Sequence, residues 1–140
     1  MDEIAFTVFG EPCAKSRPRV TKSGHAYMPE KTVAYENLVK LTYMNEVGRP
    51  LPYGEQAQVH VEILACMSIP KSTPKKKREL MLLGFIRPTK KPDLDNIIKA
   101  VCDALNGLAF RDDSCVTSLK AIKKWDSVPK VVITIKVDAE

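Results

Sequence analysis

No apolar run in this 140-residue chain approaches the roughly 18–20 residues that a membrane-spanning helix needs. The four cysteines, Cys13, Cys66, Cys102 and Cys115, are far apart. They form no C-x-x-C pair, and neither histidine lies near one at zinc-finger spacing, which excludes that class of metal site. Aromatic residues are only 6%, and Trp125 and the four tyrosines are too scattered for a base-stacking platform, so packing roles are expected of them. No internal repeat or low-complexity stretch occurs. The opening Met1-Asp2-Glu3-Ile4 is acidic and is not a secretory signal. A cytoplasmic, reducing setting with free thiols is therefore expected.

The composition that remains is ordinary for a globular chain, with 44% hydrophobic and 28% charged residues. Length predicts a single domain over 1–140 with its own core. Charge is less ordinary. The net +5 is concentrated in two windows: residues 13–31 carry +4 and residues 71–91 carry +7. Everything else together carries −6. Two basic segments on an acidic body point to a polyanionic partner, although lysines also serve simply as solvated surface.

Local patterning predicts a mixed fold. Residues 4–9, 58–69, 115–125 and 131–137 read as strands, rich in β-branched residues or alternating in polarity. Residues 17–20 and 25–28 fit a short hairpin. A helix is expected over 30–47, with Val33, Leu38, Leu41 and Met44 facing inward, and a short basic helix from Thr73-Pro74 to Gly84. His60 reads as an outward polar residue of its strand. The clearest helix is 93–106, with Leu94, Ile97, Ile98, Val101, Cys102 and Leu105 as its buried stripe and Gly107 as its C-terminal cap. The class is α/β or α+β, with a mixed sheet and helices in one compact domain.

Four acids cluster around that helix: Asp93, Asp95, Asp112 and Asp113. Asp93 and Asp95 follow directly on Arg87, Lys90 and Lys91. Acids in the middle of a polyanion-binding surface oppose binding unless a cation sits among them. Hard divalent ions such as Mg²⁺ take carboxylate oxygens, and such an ion can activate water against a phosphodiester. Lys99 lies one turn after Asp95, where an ammonium could steady developing negative charge. Each residue also fits a structural role. Asp93 could be a helix N-cap, Asp95 a first-turn acid facing the dipole, Asp95–Lys99 a surface ion pair, and Asp112-Asp113 a turn.

Residues 91–107, KPDLDNIIKAVCDALNG, followed by Asp112-Asp113-Ser114, closely resemble the signature of the RusA family of Holliday junction resolvases. Lys15-Ser16-Arg17-Pro18-Arg19 and Tyr27-Met28-Pro29 resemble that family's N-terminal basic segment. The resemblance implies a small, phage- or prophage-type, homodimeric Mg²⁺-dependent endonuclease that resolves four-way junctions by paired symmetric nicks. It implies Asp93, Asp95 and Asp113 as metal-binding and catalytic acids and Lys99 as the essential lysine, with Asp112 secondary. The basic segments supply the expected DNA contacts, Lys15, Arg17, Arg19, Lys75, Lys76 and Lys77. Where the chain departs from the pattern is the insert at 71–91. A non-catalytic DNA-binding protein, a protein-interaction domain, and a branched-DNA nuclease without strict junction preference are the rival readings.

Overall fold

The computed structural model describes residues 2–48, 54 and 56–138. Strand β1 (Asp2–Phe9) is followed by a two-residue hairpin, β2 (Arg19–Val20) and β3 (Ala26–Tyr27), and by helix α1 (Glu30–Glu46). Then come β4 (Gln58–Ser68), α2 (Lys75–Leu82), α3 (Leu94–Leu105), a single 3-10 turn (Asp113–Cys115), β5 (Val116–Asp126) and β6 (Lys130–Asp138). The expected elements are all present.

The main sheet has the order β1-β6-β4-β5. β6 is antiparallel to both its neighbours, whereas β4 and β5 run parallel. A parallel pair needs a long crossover, and here α2 and α3 supply it. Alternation sets the faces. Phe6 and Val8 of β1, Val59, Val61 and Ile63 of β4, and Val131, Ile133, Ile135 and Val137 of β6 are buried in one core with residues of α1 and α3. Phe6 meets Tyr43 of α1 edge to face, with ring centroids 5.5 Å apart. A second, smaller core of Met67, Ile69, Met81 and Trp125 fastens α2 to the far ends of β4 and β5.

The two helical stripes differ from expectation. α1 buries Thr32, Tyr35, Val39 and Tyr43, while Val33, Leu38, Leu41 and Met44 are exposed. Apolar residues occur all round this helix, so spacing alone does not select its face. The tyrosine rings bury more area than the aliphatic alternatives and turn the helix toward them. In α3 the fully buried residues are Ile97, Ala100, Val101, Ala104 and Leu105, and Leu94, Ile98 and Cys102 are half-buried. The small Ala100 and Ala104 let α3 seat closely, which moves the centre of the stripe onto them.

Candidate active site

Asp93 is the N-cap of α3, and its backbone carbonyl accepts from the N–H groups of Asn96 and Ile97, both at 3.1 Å. Its side chain makes no capping bond. Among the described residues the carboxylates of Asp93 and Asp95 have no hydrogen-bond or ion-pair partner, and both are exposed. Asp95 does not pair with Lys99. Lys99 Nζ lies instead 3.5 Å from Asp103 Oδ1, one turn further along.

Asp103 is shared. Its Oδ2 stands 3.3 Å from Lys15 Nζ, which donates at 2.5 Å to Glu36 Oε1 of α1. Lys15 N also donates to the Asn96 carbonyl at 2.8 Å. Burial, which lowers the Lys15 pKa, is outweighed by the hydrogen bonds to Glu36 and Asp103, so the ammonium is held above its usual range. Lys15 therefore ties the N-terminal segment to α1 and α3, while Arg17 and Arg19 stand exposed beyond it. Lys75, Lys76 and Lys77 are exposed as well, in the first turn of α2, which holds no acid. Cations at a helix N-terminus oppose the helix dipole, so they stabilise nothing locally and leave a site attractive to anions.

The loop that delivers Asp93 is tied to the sheet. Lys123 Nζ of β5 donates to the carbonyls of Lys90 at 2.6 Å and Pro92 at 2.9 Å. Lys90 Nζ lies 5.4 Å from the centroid of the Trp125 ring, a cation–π contact. Asp93 opens onto a cleft of about 390 Å³ lined also by Ser16, Lys31, Lys91 and Asn96. Sequence reasoning counted Lys31 as charge and Lys91 as the basic residue of the signature, and missed both as cleft residues. What joins them is the docking of residues 12–16 on α3, a contact distant in sequence.

Asp113 lies off α3, in the 3-10 turn that follows it. After Leu105 the chain turns at Gly107 (φ +78°), whose N–H donates to the Phe110 carbonyl at 2.9 Å, and comes back along the helix. Asp113 borders a second cleft of about 360 Å³ with Cys102, Val116 and Leu119. Burial, then the negative charges of Asp103 and Asp113, push the Cys102 thiol up to about 11. Cys102 is seven residues beyond Asp95, about 10 Å along the helix axis. Asp112 has a structural role: its Oδ2 accepts from Ser114 Oγ at 2.5 Å and Ser114 N at 3.1 Å, and these bonds hold its carboxyl below the usual range.

Among the described residues no three of His, Cys, Asp and Glu gather closely enough to form a metal cage. Mg²⁺ rarely uses such a cage. It is commonly bound by one or two carboxylates, with waters and substrate phosphate oxygens completing the octahedron. Two unpartnered carboxylates at the head of α3 fit that donor set, with Asp113 further along.

A family model for the endodeoxyribonuclease RusA matches residues 10–136. The chain belongs to the RusA endodeoxyribonuclease family. A protein of Bacillus subtilis strain 168 named YqaN, itself uncharacterised, is 38% identical over 141 residues, covering 97% of each chain. Membership sets the class of chemistry, hydrolysis of DNA within the strand, and the mixed sheet with its helices is consistent with the RusA-like fold that the motif implied. The four cysteines are free, and no helix among the described residues is long and apolar enough to cross a membrane.

Proposed function

We propose that this RusA-family chain is a Mg²⁺-dependent, structure-selective endonuclease of the cytoplasm, acting as a homodimer on four-way DNA junctions by paired symmetric nicks. The observation that carries the reading is that the carboxylates of Asp93 and Asp95 have no hydrogen-bond or ion-pair partner among the described residues. Two exposed carboxylates left unpartnered between basic segments repel the DNA unless they bind a cation.

Asp93 and Asp95 would hold the ion, with Asp113 approaching from the 3-10 turn that follows the helix. When bound, the ion activates water and stabilises the leaving oxygen. Lys99 presents its ammonium to the developing charge, and Asp103 limits where that ammonium can lie. Arg17, Arg19 and Lys75–Lys77 bind phosphates, giving position and salt-dependent affinity without a base code. Lys15 anchors the segment that carries the two arginines. A four-way junction has near two-fold symmetry, as does a C₂ dimer, so two sites face two equivalent strands.

The test is to incubate labelled four-way junction, fork and linear duplex with the protein, with and without Mg²⁺. Metal-dependent, symmetric nicks in the junction are expected, with little cutting of the linear duplex. Equal cutting of forks and junctions overturns the junction preference. Binding without cutting at any Mg²⁺ concentration overturns the nuclease reading.

A further inference from the structure

Between α2 and the loop that delivers Asp93, the chain turns two large apolar side chains outward, Leu83 and Phe85, 71% and 78% exposed. Single exposed apolar residues are common on protein surfaces. Three features set this pair apart.

The first is the backbone under it. Gly84 has φ +86°, its N–H donates to the Met81 carbonyl at 3.1 Å, and the Phe85 N–H donates to the Leu80 carbonyl at 3.0 Å. These are the two bonds of a Schellman helix ending, so Phe85 sits on a hydrogen-bonded turn. In that motif the residue after the glycine ordinarily folds back onto the last helical turn. Here it stands out, and Ile86 packs inward.

The second is anchoring on both sides. Met81 and Ile86 pack with Met67, Ile69 and Trp125, which fixes α2 to the sheet. Downstream, Lys123 and Trp125 hold the segment through Lys90 and Pro92. The aromatic ring is thus presented from a supported turn, eight residues before Asp93.

The third is the charge around it. In the window 71–91 the only acid is Glu79, against eight lysines and arginines. The core of a protein–protein interface is depleted of charge, and a second protein over this pair would have to cover those cations. A polyanion complements them. An aromatic face takes any nucleobase by stacking, and apolar side chains inserted at a base step unstack it.

We propose that Phe85, with Leu83 beside it, is a base-docking wedge that receives an unstacked nucleobase at the branch point of the DNA, while the surrounding cations hold the phosphates. The proposal rests on the nuclease reading above for its partner. Opening the branch point by this pair would place a strand into the cleft at Asp93.

The experiment uses a four-way junction with 2-aminopurine at the branch point, in EDTA so that no cutting intervenes. The wild-type protein is expected to raise the fluorescence on binding. Phe85→Ala is expected to bind with the rise lost, and Phe85→Trp to keep it. With Mg²⁺, Phe85→Ala should cut the intact junction at least tenfold more slowly. It should cut a junction built with unpaired bases at its centre at close to the wild-type rate. Phe85 is exposed, so folding is expected to survive, and melting curves check this. An unchanged fluorescence rise in Phe85→Ala overturns the proposal. So does a change in sedimentation that shows the pair to be a contact between copies. If the wild-type protein binds but never cuts, the nuclease reading fails while the fluorescence still decides the wedge.

Discussion

Asp95 stands in the first turn of α3 with no partner among the described residues, so Asp95→Asn separates chemistry from structure. The change keeps the shape and one oxygen and removes one charge from the proposed ion site. Cleavage is expected to fall by orders of magnitude, since Asn is a poor Mg²⁺ ligand beside carboxylate. Melting should shift little, because a first-turn acid contributes only about 0.3–1 kcal/mol through the helix dipole. Junction binding should hold or tighten. Cutting at the wild-type rate by a folded, binding protein would remove Asp95 from the site. Tyr35 makes a second residue-scale prediction. Its hydroxyl is buried without a partner among the described residues, and burial first, then the nearby Cys13, raises its pKa above the ordinary 10.0. Tyr35→Phe should therefore stabilise the protein by about 1–3 kcal/mol, the penalty of an unsatisfied buried group. Above pH 10 the unfolded phenol ionises while the folded one resists, so the wild type loses stability as pH rises and the variant's advantage should grow. Thermal melts at pH 7 and pH 10.5 check both parts. At this scale the acids and Lys99 were legible because they lie within one helix and its return turn. The Lys15 pairings were not, because Glu36 lies 21 residues away and Asp103 much further.

Helix α2 was legible as an element from Thr73-Pro74 and Gly84, and its basic first turn makes a test of binding. Replacing Lys75, Lys76 and Lys77 with Ala removes up to three phosphate contacts, each contributing about −0.9 to the log–log salt slope on duplex DNA. Weaker junction binding and a shallower slope are expected, with cleavage largely recovered at saturating protein. An unchanged slope would make these lysines solvated surface. α1 shows where pattern reading stops. Its limits were read to within a residue, 30–47 against Glu30–Glu46, yet its face was not, because which stripe turns inward depends on Tyr43 meeting Phe6 across the core. The α3 stripe was read nearly right, displaced only where alanines allowed a closer seat. Strands were the easiest elements, since alternation with period two assigns both faces at once.

For the molecule as a whole, the outward stripe of α1 is one apolar surface that a single chain leaves uncovered: Leu41 and Met44 are 61% and 55% exposed. The buried faces of β4 and β6, by contrast, are covered by α1 and α3. The proposed dimer should therefore sediment at about twice 15.6 kDa at micromolar concentration, and Leu41→Glu with Met44→Glu should reduce it to a single chain. A stable wild-type monomer that cuts would end the paired-nick mechanism and leave the ion chemistry standing. Topology adds a consequence of another kind. All the acids, Lys99 and Phe85 lie in the crossover between the parallel strands β4 and β5. Pairing of strands so far apart closes a long loop and comes late in folding. During synthesis the ribosome therefore makes every proposed catalytic group before it makes the strand that fixes them. Until Val116–Asp126 has emerged and docked, the loop that delivers Asp93 has no Lys123 to hold it, and the proposed site is not yet assembled.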